Sequence, residues 1–533
     1  MKSNFSVDIE KSRHLPILTK DYLQGDKLNS FYNRSFKLEN FKDQIIEKSN
    51  FKVEKRKILV QVLKDQNKDY KNTKSYNNID LLLKKNSFTV TTGHQLSLFS
   101  GPLFFIYKIL QVIKICNELK VNYSDFNFVP IFWMASEDHD FEEIKNFNLY
   151  NKEFIYNYNY KNHITGKIET MNMDFLYEQI KSFFKDKPHI KSLLNIFKDS
   201  YVKKKNFSEA TRSLVFNLFK GYDILVLDPD DYRLKGVFKN IILDEINNFS
   251  SHSIVKNSIK KLKKTYAENI KVQANPRLLN LFYLDESKRY RIEYENDKFS
   301  LVGDSRSFKK DEFIDLVKSN PNCISPNVIL RPLYQESILP NISYLGGGSE
   351  ISYWLELKDL FNFYDIPFPI LAVRQSLALI SRRDIDKIGS LNLKIEDLFL
   401  NKDQLFTKFL KLNNKYNTGI KKFLNNYSNN IDQIKNDLSQ IDSTLVSTLN
   451  ALETRHKNDY NSFEKKIIKI LKQKNSQKLE SIKNIFERIY PNDIFQERFL
   501  NFSHFYSIHG KDFIDSIYNF IEPFDSRMQV CEI

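Results

Sequence analysis

The amino-acid sequence predicts an α/β protein in which a largely parallel β-sheet carries two insertions and is followed by a helical coiled coil. Two observations predict the sheet. Short β-branched and aromatic runs recur within the first 390 residues, and helical or inserted segments separate them. A third observation, a heptad pattern beyond residue 391, predicts the coiled coil.

Five apolar runs are predicted to form the strands of this sheet. They occupy residues 88–91, 128–134, 224–227, 342–345 and 370–373. Between the first two runs, apolar residues recur at helical spacing from Leu103 to Leu119. A strand, a helix and a second strand in this order form a unit whose strands are parallel, because parallel neighbours need a long crossover connection.

Residues 1–390 are predicted to form the core domain, with insertions at about 147–205 and 245–325. The first insertion is rich in tyrosine and lysine and has weak periodicity. The second insertion contains three short runs that are typical of antiparallel strands. Residues 491–533 are predicted to form a C-terminal tail that packs on the core.

Residues 391–490 are predicted to form a coiled-coil dimerisation domain. Its apolar residues follow alternating three- and four-residue spacing, and they include Leu424, Tyr427, Ile431, Ile434, Leu438, Ile441, Leu445 and Leu452. A seam of this length exposes an apolar stripe that one helix cannot cover. We therefore expect a homodimer, although an intramolecular hairpin would hide part of the same stripe.

Composition and charge exclude several classes of protein. Hydrophobic residues make up 41% of the 533 residues, which excludes a disordered chain. The net charge of +15 comes from 81 basic and 66 acidic residues spread along the chain, which favours a mildly basic surface over a nucleic-acid-binding face. No signal peptide and no apolar run of membrane-spanning length is visible. We therefore expect a cytoplasmic protein that binds neither nucleic acid nor membrane.

Polar turns follow three of the predicted strands. Gly93-His94-Gln95 follows the first strand, Glu137-Asp138-His139-Asp140 the second, and Gly346-Gly347-Gly348 the fourth. The carboxyl ends of parallel strands share one edge of a sheet, where ligands bind in such folds. We therefore expect these turns to border a single pocket, with Arg331 and Arg374 on its wall.

Each of these turns also has a purely structural explanation. The glycine triplet could present N–H groups to a phosphate or carboxylate, or it could be a tight strand-to-helix turn, because it lacks the spacing of nucleotide-binding motifs. The acidic segment could move protons or hold a metal, or it could be a solvated loop. Cys116, Cys323 and Cys531 lack the spacing of metal ligands, and we predict no metal site.

Several motifs resemble those of one enzyme family. They are Thr92-Gly93-His94-Gln95 with Gly101-Pro102-Leu103 and Lys108; Pro130-Ile131-Phe132-Trp133 with Glu137-Asp138-His139-Asp140; Arg331-Pro332 with Gln335; Tyr344, Gly346-Gly347, Glu350 and Tyr353; and Gln496-Glu497-Arg498 with Asn501. In this order, and over nearly the whole chain, they resemble the cysteine-adding enzymes of bacillithiol biosynthesis, a family of cysteine ligases.

The resemblance implies a Rossmann-like core with two connective-peptide insertions and a C-terminal coiled coil that pairs two subunits. This layout is similar to the nucleotide-binding cores of class I aminoacyl-tRNA synthetases, although their paired-histidine signature is absent, since only His94 lies in the turn. The resemblance further implies a ligase that adds L-cysteine to the amine of glucosaminyl-malate and thereby forms the thiol bacillithiol.

Such a reaction requires specific groups. A carboxylate does not acylate an amine without activation, so we expect ATP, with Gly346, Gly347 and Gly348 as its binding turn. The amine needs a proton acceptor, for which the candidate catalytic residues are Asp138, His139 and Glu350. The expected substrate-binding residues are Gly93, His94, Gln95, Lys108, Trp133, Arg331, Gln335, Tyr353 and Arg374.

Two other functions are compatible with these residues. One is a nucleotide-binding, amide-forming transferase with a different acyl donor or amine acceptor. The other is a non-enzymatic coiled-coil scaffold, against which the intact polar turns argue.

Overall fold

The computed structural model describes residues 3–8, 15–413 and 419–533. Within these ranges the chain forms two compact units. The larger unit contains Asp8–Leu377 and Gln496–Gln529, and the smaller unit contains Ala378–Phe495 together with short terminal segments.

The β-strands of the described ranges are short. They are β1 (Ser3–Val7), β2 (Ser87–His94), β3 (Asn127–Met134), β4 (Asn146–Asn148), β5 (Glu153–Ile155), β6 (Leu225–Leu227), β7 (Leu281–Asp285), β8 (Lys288–Glu295), β9 (Lys298–Leu301), β10 (Ser307–Lys309), β11 (Ile324–Pro326), β12 (Asn341–Gly346), β13 (Ile370–Val373), β14 (Leu377–Ile380) and β15 (Met528–Glu532).

The α-helices account for more of the chain than the strands do. They are α1 (Ile17–Gln24), α2 (Phe41–Lys48), α3 (Val53–Gln66), α4 (Lys74–Asn77), α5 (Phe104–Asn122), α6 (Phe141–Ile144), α7 (Met173–Phe183), α8 (Ile190–Phe197), α9 (Phe207–Leu218), α10 (Tyr232–Asn248), α11 (Ser250–Thr265), α12 (Lys310–Ser319), α13 (Leu330–Ile338), α14 (Gly348–Leu355), α15 (Lys358–Phe363), α16 (Arg382–Ser390), α17 (Lys402–Asn413), α18 (Gly419–Ser439), α19 (Ser443–Lys474), α20 (Ser476–Ile489), α21 (Gln496–Phe499), α22 (Ser503–His509) and α23 (Lys511–Phe520).

A five-stranded sheet forms the centre of the larger unit. Its strand order is β13–β12–β2–β3–β6, and every neighbouring pair is parallel. Each of the five apolar runs identified in the sequence lies in one of these strands, so the predicted parallel α/β core is confirmed. Because all five strands run in the same direction, their carboxyl ends lie along one edge of the sheet.

Both faces of this sheet are covered. On one face, Phe88, Val112 and Ile342 belong to an apolar cluster that joins α2 and α5 to the strands. On the other face, Ile131 and Leu371 belong to a larger cluster that includes residues of α3, α10, α13 and α14. Strands that are buried on both faces have continuous apolar sequences rather than alternating ones, which explains why these strands were predictable.

The two insertions differ in structure. In the first insertion, β4 and β5 form a small antiparallel pair, and α7 and α8 pack against each other. In the second insertion, the strands form an antiparallel sheet of order β10–β9–β8–β7–β11. The three short strands predicted from the sequence correspond to β7, β8 and β9.

The smaller unit contains a hairpin of two long helices. Helices α18 and α19 run antiparallel, since Phe423 packs on Tyr460 and Lys435 Nζ lies 2.7 Å from a Glu453 oxygen. Helix α18 ends at Ser439 and α19 begins at Ser443, so the residues of the predicted heptad seam are divided between two helices. The coiled-coil character of this region is confirmed, and the hairpin itself covers part of the seam.

Candidate functional site

The carboxyl ends of four neighbouring strands define the candidate site in the larger unit. Strand β13 ends at Val373, β12 at Gly346, β2 at His94 and β3 at Met134. The register places Gly346 opposite Val373 and Gly93 opposite Trp133. The polar turns that follow these strands are therefore neighbours along this edge.

In the glycine turn between β12 and α14, a backbone N–H is hydrogen-bonded to the side chain of Glu350, a residue in the first turn of α14. The N–H of Gly347 donates to Glu350 Oε1 at 3.0 Å. A Cβ on Gly348 would lie 2.8 Å from Pro16 Cδ, so this glycine is required for close packing. Since the Gly347 N–H is already satisfied by a carboxylate, the turn does not offer this donor to a phosphate group.

A partly buried ion pair crosses from α5 to α14, in which Lys108 is buried and Glu350 is partly exposed. Lys108 Nζ lies 2.5 Å from Glu350 Oε1 and donates to the Gly93 carbonyl at 2.8 Å. The Tyr344 hydroxyl donates to the second Glu350 oxygen at 2.6 Å. Burial would raise the pKa of Glu350, but the Lys108 charge and these hydrogen bonds lower it to about 2. Glu350 is thus a carboxylate at every physiological pH and holds Lys108 in place.

Arg331 lies in the first turn of α13 and not at the end of a core strand. Its guanidinium donates to the Tyr353 hydroxyl at 2.8 Å and to Gln335 Oε1 at 3.2 Å, and it lies over the Tyr344 ring. Gln335 is fully buried, and its side-chain oxygen accepts the hydrogen bond that orients Arg331. Within the described ranges, Arg331 forms no ion pair with a carboxylate.

Arg374, by contrast, is paired with a carboxylate, although its buried Nε has no hydrogen-bond partner among the described residues. Its Nη2 lies 2.6 Å from Glu497 Oε1, and the two side chains are only 2% and 0% exposed. Arg374 also packs over the Phe104 ring. Arg498 follows Glu497, and its side chain is exposed at the edge of this group. Partial desolvation of its guanidinium and the nearby Arg374 charge lower the pKa of Arg498. We call Lys108, Arg331, Arg374, Arg498 and Glu350 the cationic cluster.

His94 lies beside this cluster. Its Nδ1 is 2.7 Å from the Gln95 carbonyl oxygen, and its ring packs against Phe104 and Phe105. Burial and the nearby Lys108 charge lower the pKa of His94 to about 4. The imidazole is therefore neutral at physiological pH.

Asp138 and His139 form the second part of the site. Gln95 Nε2 donates to Asp138 Oδ2 at 2.8 Å, which links the first and second polar turns. Arg289 of β8 lies 3.5 Å from Asp138 Oδ1 and 3.3 Å from His139 Nδ1. Burial would raise the pKa of Asp138, but its hydrogen bonds from His139 and Gln95 and the Arg289 charge lower it well below the usual range.

The other residues of the acidic segment have different roles. Glu137 is buried and lies 2.6 Å from Lys235 Nζ, which also binds Asp230. Asp140 caps helix α6 by accepting from the Glu143 N–H at 3.3 Å. Glu137 is therefore used in packing, whereas Asp138, His139 and Asp140 border the open cavity of the site.

An open cavity adjoins Asp138 and His139. It has a volume of about 660 Å³ and is bordered by both the second polar turn and the first insertion. Its lining includes Gln95, Asp138, His139, Asp140, Glu142, Glu143, Tyr160 and Lys161. Carboxylates outnumber cations here, and we call this cavity the acidic cleft.

Trp133 does not reach either part of the site. It is 1% exposed and packs edge-on against Tyr334, while its indole lies beneath Gly93. Its position gives it a supporting role under the first polar turn.

Three residues that contact the site were not among the candidates predicted from the sequence. Arg289 reaches Asp138 from the second insertion, Lys235 holds Glu137, and Arg498 borders the cationic cluster. Arg498 belongs to a quoted family motif, so a signal for it was present in the sequence. Arg289 and Lys235 belong to no motif.

Two absences can be stated for the described ranges. Their histidine, cysteine and acidic side chains form no group of three or more that is arranged to hold a metal ion. Their helices include none that is both long and apolar enough to cross a membrane.

Comparison with known proteins assigns the chain to a family. The sequence model described as "Bacillithiol biosynthesis BshC, N-terminal Rossmann-like domain" matches residues 5–375. The model described as "Bacillithiol biosynthesis BshC, C-terminal coiled-coil domain" matches residues 377–533. Together the two models cover nearly the whole chain.

Curated relatives agree with this result. The protein named "Putative cysteine ligase BshC" of Flavobacterium psychrophilum is 38% identical, with 98% of each chain covered. The proteins of the same name from Flavobacterium johnsoniae and Christiangramia forsetii are 36% and 35% identical, with 99% and 98% of each chain covered. Matches of this extent, to both domain models and to full-length relatives, show that the chain belongs to the BshC family of bacillithiol biosynthesis.

Proposed function

We propose that this protein is a ligase that joins the carboxyl group of L-cysteine to the amine of glucosaminyl-malate and forms bacillithiol. The observation that supports this most is the division of one sheet edge into a cationic cluster and an acidic cleft. The acceptor substrate carries two malate carboxylates and one amine. A site with separate cationic and acidic parts is complementary to such a molecule.

Arg331 is the proposed ligand of a substrate carboxylate. Lys108 and Arg374 are neutralised by Glu350 and Glu497, whereas Arg331 donates only to the neutral Tyr353 and Gln335. A guanidinium binds a carboxylate through two parallel hydrogen bonds. Arg498 would add a second positive charge nearby.

His139 is the proposed proton acceptor. The attacking amine must be neutral, so its ammonium form has to lose a proton before or during attack. Asp138 and Glu350 have strongly lowered pKa values, which makes both carboxylates weak bases. When His139 takes the proton, the imidazolium lies beside Asp138, whose Oδ1 is 3.6 Å from His139 Nδ1.

We propose ATP as the source of carboxyl activation, because a free carboxylate does not acylate an amine. The glycine turn is not the place where we position its phosphates, since Glu350 occupies the Gly347 N–H. The chain's own contribution is then to bind both substrates, to orient the amine and to accept its proton. We place this reaction in the cytoplasm.

A reconstitution experiment tests the proposed activity. Purified protein is incubated with ATP, L-cysteine and glucosaminyl-malate, and bacillithiol and ATP consumption are measured by mass spectrometry and a coupled assay. We expect ATP consumption that requires both substrates. Consumption with a different amino acid or amine would favour another amide-forming transferase, and no consumption with any pair would favour a scaffold.

The smaller unit is the proposed dimerisation domain. Its hairpin leaves apolar residues exposed, including Ile441 at 75% and Leu452 at 46%. Exposed apolar stripes on long helices are typical of helix–helix interfaces between subunits. We expect light scattering to report a dimer for the wild type and a monomer for the double variant Ile441→Glu, Leu452→Glu. Thr454→Glu, at an exposed polar position on the opposite side of α19 from this stripe, is the control that should remain dimeric.

A further inference from the structure

A second cavity of the larger unit is lined by lysines. Its volume is about 530 Å³, and Lys48, Lys52, Lys55 and Lys358 all border it. These lysines come from the end of α2, the turn into α3, helix α3 itself and the start of α15. We call this cavity the lysine pocket.

The carboxylates of the lysine pocket are matched by cations or lie at its surface. Glu336 is buried and lies 3.4 Å from Lys48 Nζ. Glu47 forms an ion pair with Arg34, which does not line the pocket. The remaining acidic residue, Asp365, is exposed. Glu336 therefore supplies the counter-charge of Lys48. The positive charges of the other three lysines have no such partner identified so far.

Lys52, Lys55 and Lys358 have no carboxylate partner within the described ranges. Lys55 donates to the Ser337 carbonyl at 3.0 Å, and Lys358 donates to Asn33 Oδ1. Each ammonium has three N–H donors, so both keep donors for a ligand. Burial and the charges of Lys48 and Lys52 lower the pKa of Lys55 to about 8, which shows that positive charge is crowded here.

Helix capping explains only part of this arrangement. Lys48 and Lys55 donate to the carbonyls of Glu336 and Ser337 in the last turn of α13, where the helix dipole favours cations. Capping does not account for Lys52 and Lys358, which make no contact with that helix end. Lys55 and Lys358 are partly buried, and neither forms an ion pair with a carboxylate of the described residues. Burying such cations is costly to a fold, and a bound anion would reduce that cost.

We propose that the lysine pocket binds a compact polyanion, with phosphate or carboxylate groups, through Lys52, Lys55 and Lys358. The cavity has room for a small molecule, and Asn50 and Asn362 supply neutral hydrogen-bonding groups on its wall. This site is separate from the cationic cluster and lies outside the proposed ligase reaction.

Calorimetric titration tests this proposal, with pyrophosphate and citrate as separate probes at low salt. Because the cationic cluster also attracts anions, every protein carries Arg331→Ala. The test variant adds Lys52→Gln, Lys55→Gln and Lys358→Gln, and the control adds Lys42→Gln, Lys57→Gln and Lys68→Gln. The control lysines are exposed and outside the pocket, so both variants lose the same charge.

We expect the control to bind at least one probe and the test variant to bind it at least about ten-fold more weakly. Binding of pyrophosphate alone would identify a phosphate ligand, and binding of citrate alone would identify a carboxylate ligand. Equal affinities in the two variants, or no binding by the control, would overturn the proposal. If the triple variant does not fold, Lys52→Glu at its exposed position replaces it with the same expected direction.

Discussion

The cationic cluster and the acidic cleft occupy the same sheet edge, but their charges are arranged in different ways. In the cationic cluster, Lys108 and Arg374 are buried against Glu350 and Glu497 at 2.5 and 2.6 Å. In the acidic cleft, carboxylates such as Glu142 border an open cavity of about 660 Å³. In the first region, Lys108 and Arg374 are neutralised within the protein, and the second region faces solvent.

This difference indicates how the two regions contribute to the site. Buried pairs hold the backbone turns and leave Arg331 as a positioned, uncompensated cation. In the function proposed above, the open cleft admits the substrate's ammonium group and His139 accepts its proton. Variants of the paired residues should therefore affect stability most, and variants of the unpaired residues should affect activity most.

The largest effect is expected for Arg374→Ala. This change leaves Glu497 buried without a counter-charge, which costs about 3–5 kcal/mol. The free energy of unfolding can be followed by tryptophan fluorescence in urea, because Trp133 and Trp354 both lie in the larger unit. Arg382→Ala removes an arginine that is 65% exposed and should cost no more than about 1 kcal/mol. Similar costs for both variants would show that the Arg374 pair is not a stabilising feature.

The next largest effect is expected for Arg331→Ala, and it should appear in activity. Loss of a charge-assisted hydrogen-bond pair to a substrate carboxylate should lower kcat/KM about 100-fold, mainly through KM for glucosaminyl-malate. Arg331→Lys should recover part of this loss because it keeps the charge. The melting temperature should change little, as for the exposed control Arg277→Ala. An unchanged KM in Arg331→Ala would place the carboxylate elsewhere.

The contrast between the two regions also shows what the sequence could predict. The strands of the core were found because each is a short apolar run buried on both faces. Their parallel order then placed the polar turns at one edge. Backbone position along this edge was therefore predictable from local sequence together with one topological rule.

The partners of individual side chains were not predictable in this way. Glu350 was a candidate proton acceptor, yet its contact with Lys108 joins residues 242 positions apart and makes it a weak base. The role of Arg289 depends on how the second insertion folds back on the core, and its strand carries no motif. The homodimer and the ATP requirement stay predictions.

A smaller effect is expected for Arg289→Gln, which tests the acidic cleft. Arg289 lies 3.3 Å from His139 Nδ1 and 3.5 Å from Asp138 Oδ1, so it holds these two side chains together. Without it, kcat should fall about ten-fold, because Asp138 and His139 lose a common anchor. Arg291→Gln, on the same strand but outside these contacts, is the control. Similar values of kcat for Arg289→Gln and Arg291→Gln would show that the contacts of Arg289 with Asp138 and His139 do not contribute to the reaction.

The smallest effect is expected in the pH dependence of stability, and it isolates His94, which lies beside the cationic cluster. The pKa of His94 is about 4 in the folded protein, against 6.5 for an unperturbed histidine. Between these values the unfolded chain binds the proton and the folded chain does not, so stability falls as the pH is lowered from about 6.5 to 4. His94→Gln removes this contribution.

At pH 5 the wild type should therefore lose on the order of 1 kcal/mol more stability, relative to pH 7, than His94→Gln does. The lowered pKa of Glu350 acts in a separate window. Its stabilising contribution is complete above the usual value of 4.5 and is lost only as the pH falls towards about 2. Urea unfolding of both proteins at pH 7, 6 and 5 measures the difference without interference from Glu350. Parallel stability curves for the two proteins over this range would mean that His94 is not held in its neutral form by the fold.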